Sequence, residues 1–122
     1  MPMIVRCYYR SGGAEARFHI RDVHVSYMIE HRALIETGGA ILSEDGHTAI
    51  GMFLVLDIES VAKAEAFLAR EPYTLAGLFE GRTIERLDRF IPHPDPDCLN
   101  RLLAAARAWI AEHGKSVGKS DP

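Results

Sequence analysis

The sequence predicts an α+β fold, a ferredoxin-like β-α-β-β-α-β unit with an added C-terminal helix. Three observations lead to this prediction. Segments rich in β-branched and aromatic residues alternate with segments of helical periodicity, one strand segment is apolar on both faces, and a new helical repeat begins after a cluster of prolines. The length of 122 residues is that of one ordinary domain and leaves no room for two independent cores.

The first β-α pair occupies roughly the first third of the chain. Residues 3–9 are rich in Ile, Val and Tyr and are followed by Gly12-Gly13, which predicts a strand and a turn. Residues 18–37 contain no Gly or Pro and end at Gly38-Gly39, where glycine can take a left-handed cap. Apolar and aromatic residues there repeat at helical spacing, which predicts one amphipathic helix with the stripe Ile20, Val23, His24, Tyr27, Met28, His31, Leu34 and Ile35.

The middle of the chain reads as a hairpin that turns at Asp45-Gly46, between residues 40–42 and 48–58. In the second arm one face carries Ile50, Met52, Leu54 and Leu56, and the opposite face carries Phe53 and Val55. The helices of a small domain can cover only one of these faces. A second copy of the chain is the simplest cover for the other, so we expect a homodimer.

The second β-α pair follows the hairpin. Ser60 is a suitable N-cap for a helix over residues 61–70, and Glu71-Pro72 ends it because a residue before proline disfavours the helical conformation. Residues 73–78 are predicted to be an irregular connection. Residues 79–91 are predicted to be the last strand, with a bulge between Ile84 and Leu87.

Residues 92–122 differ in character from residues 1–91 and are predicted to be an extension. Three prolines make a stiff connection, and Asp95 with Pro96 resembles an N-cap and first helical position. The apolar repeat from Leu99 to Ile110 predicts a helix that ends at Gly114, followed by a polar, frayed tail over residues 115–122. We expect the apolar stripe of this helix to dock on the core or on a partner subunit.

Composition and motifs exclude several function classes. Lys and Arg number 14 against 17 Asp and Glu, and no basic block is present, which disfavours nucleic-acid binding. No apolar run approaches the about 20 residues that cross a bilayer, and the first residues lack signal-peptide features, so no membrane partner and a cytoplasmic location are expected. Cys7 and Cys98 form no metal-binding pair, and His24 and His31 are too far apart along a helix to share an ion, so no metal and no cofactor are predicted.

Five residues are candidates for a site. His24 lies at the centre of the apolar stripe and is either a hydrogen-bonded core residue or a general acid/base. Glu71 lies at the C-terminal end of a predicted helix, where the helix dipole disfavours a carboxylate. We therefore expect Glu71 to pair with His24 or an arginine; the alternative is that it is exposed to solvent. Arg21 could bind an anionic substrate group or form a surface salt bridge. Tyr27 and Tyr73 could line the same pocket or pack in the core.

Three stretches together resemble the YCII-related (YciI-like) family over residues 1–91. They are Arg21-Asp22-Val23-His24, the run from Gly39 to Gly46, and the run from Ala64 to Phe79 that contains Glu-Pro-Tyr and Ala-Gly-Leu-Phe. The resemblance implies a dimeric α+β barrel in which two sheets pack face to face. It also implies a His/carboxylate dyad at His24 and position 71, where the family usually has aspartate and this chain has glutamate. A few relatives act on lactone-type ring compounds.

Two functions are therefore compatible with the sequence. The first is a cofactor-free enzyme that uses His24 and Glu71 for proton transfer, elimination or isomerisation on a small lactone-like or anionic molecule. The second is a non-catalytic dimeric module that binds a small-molecule ligand or another protein. Loss of a pH-dependent activity in His24→Ala favours the first, and ligand-induced stabilisation without turnover favours the second.

Overall fold

The computed structural model describes residues 1–116, which divide into a compact unit over Met1–Asp88 and a second unit that begins at Arg89. The first unit contains four strands and four helices. In chain order these are β1 (Met3–Tyr9), α1 (Gly13–Ala16), α2 (Arg21–Glu30), β2 (Ile35–Leu42), β3 (Ala49–Leu56), α3 (Val61–Ala69), α4 (Pro72–Leu75) and β4 (Phe79–Arg86).

The four strands form one antiparallel sheet in the order β2-β3-β1-β4. This order, with the helices between the strands, is that of the predicted ferredoxin-like α+β fold. Val5 on the central strand lies opposite Leu54 on one side and Ile84 on the other. The core lies on this face of the sheet and consists of Met3, Val5, Cys7, Met52, Leu54, Leu56, Ile58, Ala64, Phe67 and Leu68.

The opposite face of the sheet also carries apolar side chains near its centre. Val55 lies beside Ile4, and Phe53 lies beside Arg6, which donates a 2.6 Å hydrogen bond to Glu85 on β4. Val55 is buried by its neighbours, whereas Phe53 is half-buried. Phe53 and Val55 therefore occupy the face opposite the core, as their alternation along the strand predicts. Ile50, predicted to lie on the core face, is 40% exposed at the start of β3.

The single helix predicted over residues 18–37 is wrong in its extent. Residues 17–19 and 32–34 form short 3₁₀ turns on either side of α2, and β2 begins at Ile35. Gly38 and Gly39, predicted as a helix cap, are strand residues that pair with Leu54 and Phe53. Pairing with β3 outweighs the local helical pattern here, because a strand over Ile35–Leu42 satisfies the backbone of both segments.

Two further boundaries differ from the prediction. The segment predicted as an irregular connection begins with the helical turn α4, for which Glu71 is the N-cap. The last strand ends at Arg86 instead of residue 91, because its partner β1 begins at Met3, opposite Arg86. The irregularity in this strand pair lies where β4 begins, opposite Tyr8 and Tyr9, and not between Ile84 and Leu87.

The second unit contains the predicted helix, α5, over Cys98–His113. Its N-cap is Asp97 instead of the predicted Asp95. The Asp95 carboxylate accepts hydrogen bonds from the Asp97 amide and from the Arg101 side chain. Its apolar side chains are about half exposed, and their docking stays a prediction; they are Leu99, Leu102, Leu103 and Trp109. Of the predicted polar tail, residues 117–122 lie outside the described residues.

Candidate active site

The structure brings His24 and Glu71 into direct contact. Helix α2 presents the imidazole toward the short turn between α3 and α4, and His24 Nδ1 lies 2.5 Å from Glu71 Oε1. The His24 side chain is 15% exposed, and the Glu71 side chain is completely buried. The pair is therefore reached from solvent only through the histidine.

Three further hydrogen bonds hold the Glu71 carboxylate. Oε1 accepts from the Tyr73 amide at 3.1 Å, and Oε2 accepts from the Thr74 amide at 3.0 Å and from the Thr74 hydroxyl at 3.2 Å. These amides belong to the first turn of α4, and Pro72 supplies the fixed φ with which that turn begins. Because an ionised carboxylate only accepts hydrogen bonds, an ionised Glu71 requires the proton between the two residues to be carried on Nδ1.

Tyr73 forms the second contact of the histidine ring. The imidazole and the phenol ring are parallel within 5°, and their centroids are 3.8 Å apart. Tyr9 packs edge-on against Tyr73 at 6.2 Å and stacks on Phe79 at 5.1 Å. The imidazole is thus held in one orientation by a hydrogen bond at its edge and an aromatic ring on its face.

Both tyrosine hydroxyls are protonated near neutral pH. Burial, with a smaller contribution from the Tyr73 phenol, raises the pKa of Tyr9 to about 12, although the positive charge of Arg17 opposes the shift. Burial also raises the pKa of Tyr73, against the opposing charges of Arg17 and Arg21. The two phenols can therefore donate hydrogen bonds to a bound molecule but do not act as phenolate bases.

His24 and Tyr73 line a cavity of about 420 Å³ between α2 and strands β2 and β3. Gly38, Gly39, Ala40 and Gly51 also line the cavity, and a Cβ atom at Gly38 would come within 2.9 Å of the Leu54 side chain. Val25, Met28 and Leu54 make its wall partly apolar. A volume of this size is suited to a single substituted ring.

Three arginines, Arg17, Arg21 and Arg32, also line the cavity. Arg17 donates a hydrogen bond to the Ala14 carbonyl, and its guanidinium lies 4.3 Å from the centre of the Phe18 ring. Among the described residues that line the cavity there is no Asp or Glu. The site is suited to an anionic ligand.

Tyr27 does not belong to this cavity. Its hydroxyl donates to the Phe67 carbonyl at 2.7 Å, and its ring packs against His31 with the centroids 4.1 Å apart. It lines a separate open groove between α2 and α3. Although Tyr27 is one helical turn from His24, its side chain points to α3, whereas His24 points to Glu71.

Sequence reasoning missed three residues of the site: Tyr9, Arg17 and Arg32. Tyr9 is the last residue of β1, and the two arginines lie in the 3₁₀ turns that flank α2. They reach the cavity only because β1 ends beside α4 and because the predicted long helix is broken at both ends. A sequence signal was present only for Arg17, which lies one turn before Arg21.

Residues 1–116 contain neither a metal-binding cluster nor a membrane-spanning helix. No cluster of three or more His, Cys, Asp or Glu side chains there could hold a metal ion. In the same part of the chain, no helix combines the length and the apolar character needed to cross a membrane.

Comparison with known proteins identifies the family. The YCII-related domain profile matches residues 1–88. Among solved structures, 5-chloro-2-hydroxyhydroquinone dehydrochlorinase (TftG) from Burkholderia phenoliruptrix AC1100, in complex with 2,5-dihydroxybenzoquinone, is 28% identical, with a TM-score of 0.66 over 73% of this chain and 95% of that chain. Rv0793 from Mycobacterium tuberculosis is 18% identical, with a TM-score of 0.41 over 72% of this chain and 95% of that chain. No curated protein matches the chain. Because the domain profile covers well over half of the 122 residues, the chain belongs to the YCII-related family.

Proposed function

We propose that this chain is an enzyme that moves a proton in an elimination or isomerisation of a small, anionic, oxygenated ring compound. His24 is the general base, and Glu71 orients it. The observation that carries the proposal is the 2.5 Å hydrogen bond between His24 Nδ1 and the buried Glu71 carboxylate, at the wall of a cavity lined by arginines.

The proton transfer follows from the tautomer that Glu71 selects. With Nδ1–H donated to Glu71, the lone pair of His24 is on Nε2, the ring nitrogen that Glu71 does not occupy. Nε2 accepts a proton from the substrate, and the imidazolium that forms is stabilised by the adjacent carboxylate. In an isomerisation the same nitrogen returns the proton to another atom of the substrate. In an elimination the C–H electrons form the new double bond, the leaving group departs with the electron pair of its bond to carbon, and the proton passes from Nε2 to solvent.

The arginines and phenols support the negative charge that develops on the substrate. The Arg17 guanidinium lies 5.6 Å from the centre of the Tyr9 ring, and Arg21 is one helical turn before His24, which favours the histidine end of the cavity for both charges. A guanidinium there can bind an anionic oxygen of the substrate and stabilise it as the proton leaves. Tyr9 and Tyr73, as protonated phenols, can donate to the same oxygens.

The structural relative supports a ring compound as substrate. That enzyme is a dehydrochlorinase of a chlorinated hydroxyhydroquinone and was solved with a dihydroxybenzoquinone bound. Removal of hydrogen chloride from such a ring needs a base that accepts the proton. We propose that His24 is this base.

The test is chloride release from 5-chloro-2-hydroxyhydroquinone, together with solvent deuterium exchange into a panel of hydroxybenzoates and unsaturated lactone carboxylates. We expect the wild-type chain to accelerate at least one of these reactions and His24→Asn to lose at least about 100-fold of the rate. His47→Asn is the matched control, since His47 lies in the exposed hairpin turn. If no probe is turned over but one stabilises the fold, the enzyme proposal is wrong and a binding module is favoured.

We also propose that the chain functions as a homodimer whose subunits pack through the sheet face that carries Phe53 and Val55. The core lies entirely on the other face of the sheet. A second copy of the same face would cover Phe53 and Ile4 and remove their apolar surface from water.

A further inference from the structure

We infer that the substrate of this site carries two anionic groups, and that Arg32 binds the group farther from His24. The inference rests on the proposed function for the site itself and goes beyond it by specifying the charge and layout of the substrate. It makes Arg32 a specificity-determining residue that takes no part in the proton transfer.

The first argument is the imbalance of charge around the cavity. Arg17, Arg21 and Arg32 line it, and the described lining contains no carboxylate. Glu71, which is completely buried and hydrogen-bonded to His24, offsets at most one of these three positive charges and leaves an excess of two. Like charges around a partly desolvated cavity repel each other, and a ligand with a single negative charge would leave most of that repulsion in place.

The second argument is that the positive charges lie at two ends. Arg17 lies 5.6 Å from the centre of the Tyr9 ring and Arg21 is one helical turn before His24, whereas Arg32 lies in the turn that follows the other end of α2. Arg21 begins α2 and Arg32 lies two residues after its end, so the length of the ten-residue helix, about 15 Å, separates them. The long side chains of Arg21 and Arg32 can bring their guanidinium groups closer together than the backbone separation. Two anionic groups on opposite sides of one ring can then each bind a guanidinium.

The third argument is the character of the surface between the two ends. Val25 and Met28 line the cavity and lie between Arg21 and Arg32 on one side of α2, and Leu54 on β3 also lines it. Apolar side chains there suit the middle of the ligand and not its charges. The matching molecule is a single ring, or a chain of similar size, with an anionic group at each end.

Terephthalate and its monomethyl ester are suitable probes, because they have nearly the same shape and differ by one charge. Isothermal titration calorimetry on the full chain should give terephthalate about tenfold tighter binding than the monoester. Arg32→Gln should abolish this preference by weakening the binding of terephthalate about tenfold, and Arg32→Lys should restore part of it. Arg70→Gln removes the same charge in the separate groove between α2 and α3 and should leave the preference intact.

The outcomes separate this inference from the proposed function. Equal affinity of the wild-type chain for the two probes, a preference that survives in Arg32→Gln, or no binding of either probe overturns the inference. His24→Asn should still prefer terephthalate, because binding depends on the arginines. Failure of the proton-transfer proposal would instead appear as absent turnover with the terephthalate preference unchanged.

Discussion

The imidazole of His24 lies parallel to the phenol ring of Tyr73, with the ring centroids 3.8 Å apart. Tyr73 is two residues after Glu71, which binds the edge of the same imidazole. One short turn of chain, Glu71-Pro72-Tyr73, therefore supplies both contacts that orient the histidine. A small displacement of this turn would change the direction of Nε2 and the contact with Tyr73 together.

Replacing Tyr73 with leucine tests the stacking contact. The leucine keeps an apolar side chain in the buried position but removes the flat surface beneath the imidazole. We expect kcat for the probe that the wild type turns over to fall about tenfold below that of Tyr73→Phe, which keeps the ring and lacks only the hydroxyl, because the base is less well oriented. Tyr8→Leu, at a 40% exposed position, is the control. An unchanged kcat in Tyr73→Leu would show that the hydrogen bond alone orients His24.

Glu71 is expected to contribute to stability as well as to the site. In Glu71→Gln one of the two acceptor oxygens becomes an NH₂ group that faces N–H or O–H donors, which leaves buried polar groups unpaired. The free energy of unfolding in urea should fall by about 2 kcal/mol. Glu44→Gln, in the exposed hairpin turn, should change it by less than about 0.5 kcal/mol. Equal effects of the two variants would contradict this account.

Cys7 should make the fold less stable at alkaline pH. Burial, and next the charge of Glu71, raise the pKa of its thiol from 9.0 to about 11, although Arg82 opposes the shift. The unfolded chain therefore loses this proton at a lower pH than the folded chain. The stability contributed by the protonated Cys7 thiol is fully present below pH 9. As the pH rises to 11, the free energy of unfolding falls by up to about 2 kcal/mol.

The measurement is urea unfolding of Cys7→Ala and of the wild type between pH 8 and pH 11. The variant should lose less stability over this range, and Cys98→Ala should follow the wild type. Parallel curves for Cys7→Ala and the wild type would mean that the thiol does not titrate differently on folding.

The proposed dimer predicts a molecular mass of twice 13.6 kDa at micromolar concentration. Phe53→Glu places a charge in the proposed interface and should produce monomers. Leu42→Glu, at an exposed position of β2, should leave the mass unchanged. Light scattering that gives 13.6 kDa for the wild type would rule out the dimer.

The fold was predictable where local patterns and tertiary structure agree. The alternation in residues 48–58 and the Asp45-Gly46 turn correctly indicated β3 and the hairpin, where Gly46 takes a φ of +79°. Residues 35–37 were predicted as the end of a helix and Gly38-Gly39 as its cap. They form a strand instead, because pairing to β3, a distant segment, outweighs the local helical pattern. The contact of His24 with Glu71 could be anticipated because each residue is unusual for its local position.

The remaining site residues depend on how the chain is arranged in space. Arg32 gives no sequence signal of its own and becomes a wall residue only because a 3₁₀ turn follows α2. Tyr27 shows the opposite case, since its helical spacing from His24 suggested a shared pocket. Its hydroxyl is instead bonded to the Phe67 carbonyl of α3, an interaction that spacing within one helix does not reveal.

The most direct test of the account is the position of the proton on the His24 ring. Long-range ¹H–¹⁵N correlation spectra of the ¹⁵N-labelled chain at pH 8, with His24 assigned by comparison with His24→Asn, should show a proton on Nδ1 and none on Nε2. The Nδ1 proton should be shifted far downfield by its hydrogen bond to Glu71, and in Glu71→Gln that shift should be lost. A proton on Nε2 alone in the wild type, or an unchanged His24 spectrum in Glu71→Gln, would contradict the claim that Glu71 orients His24 as the base.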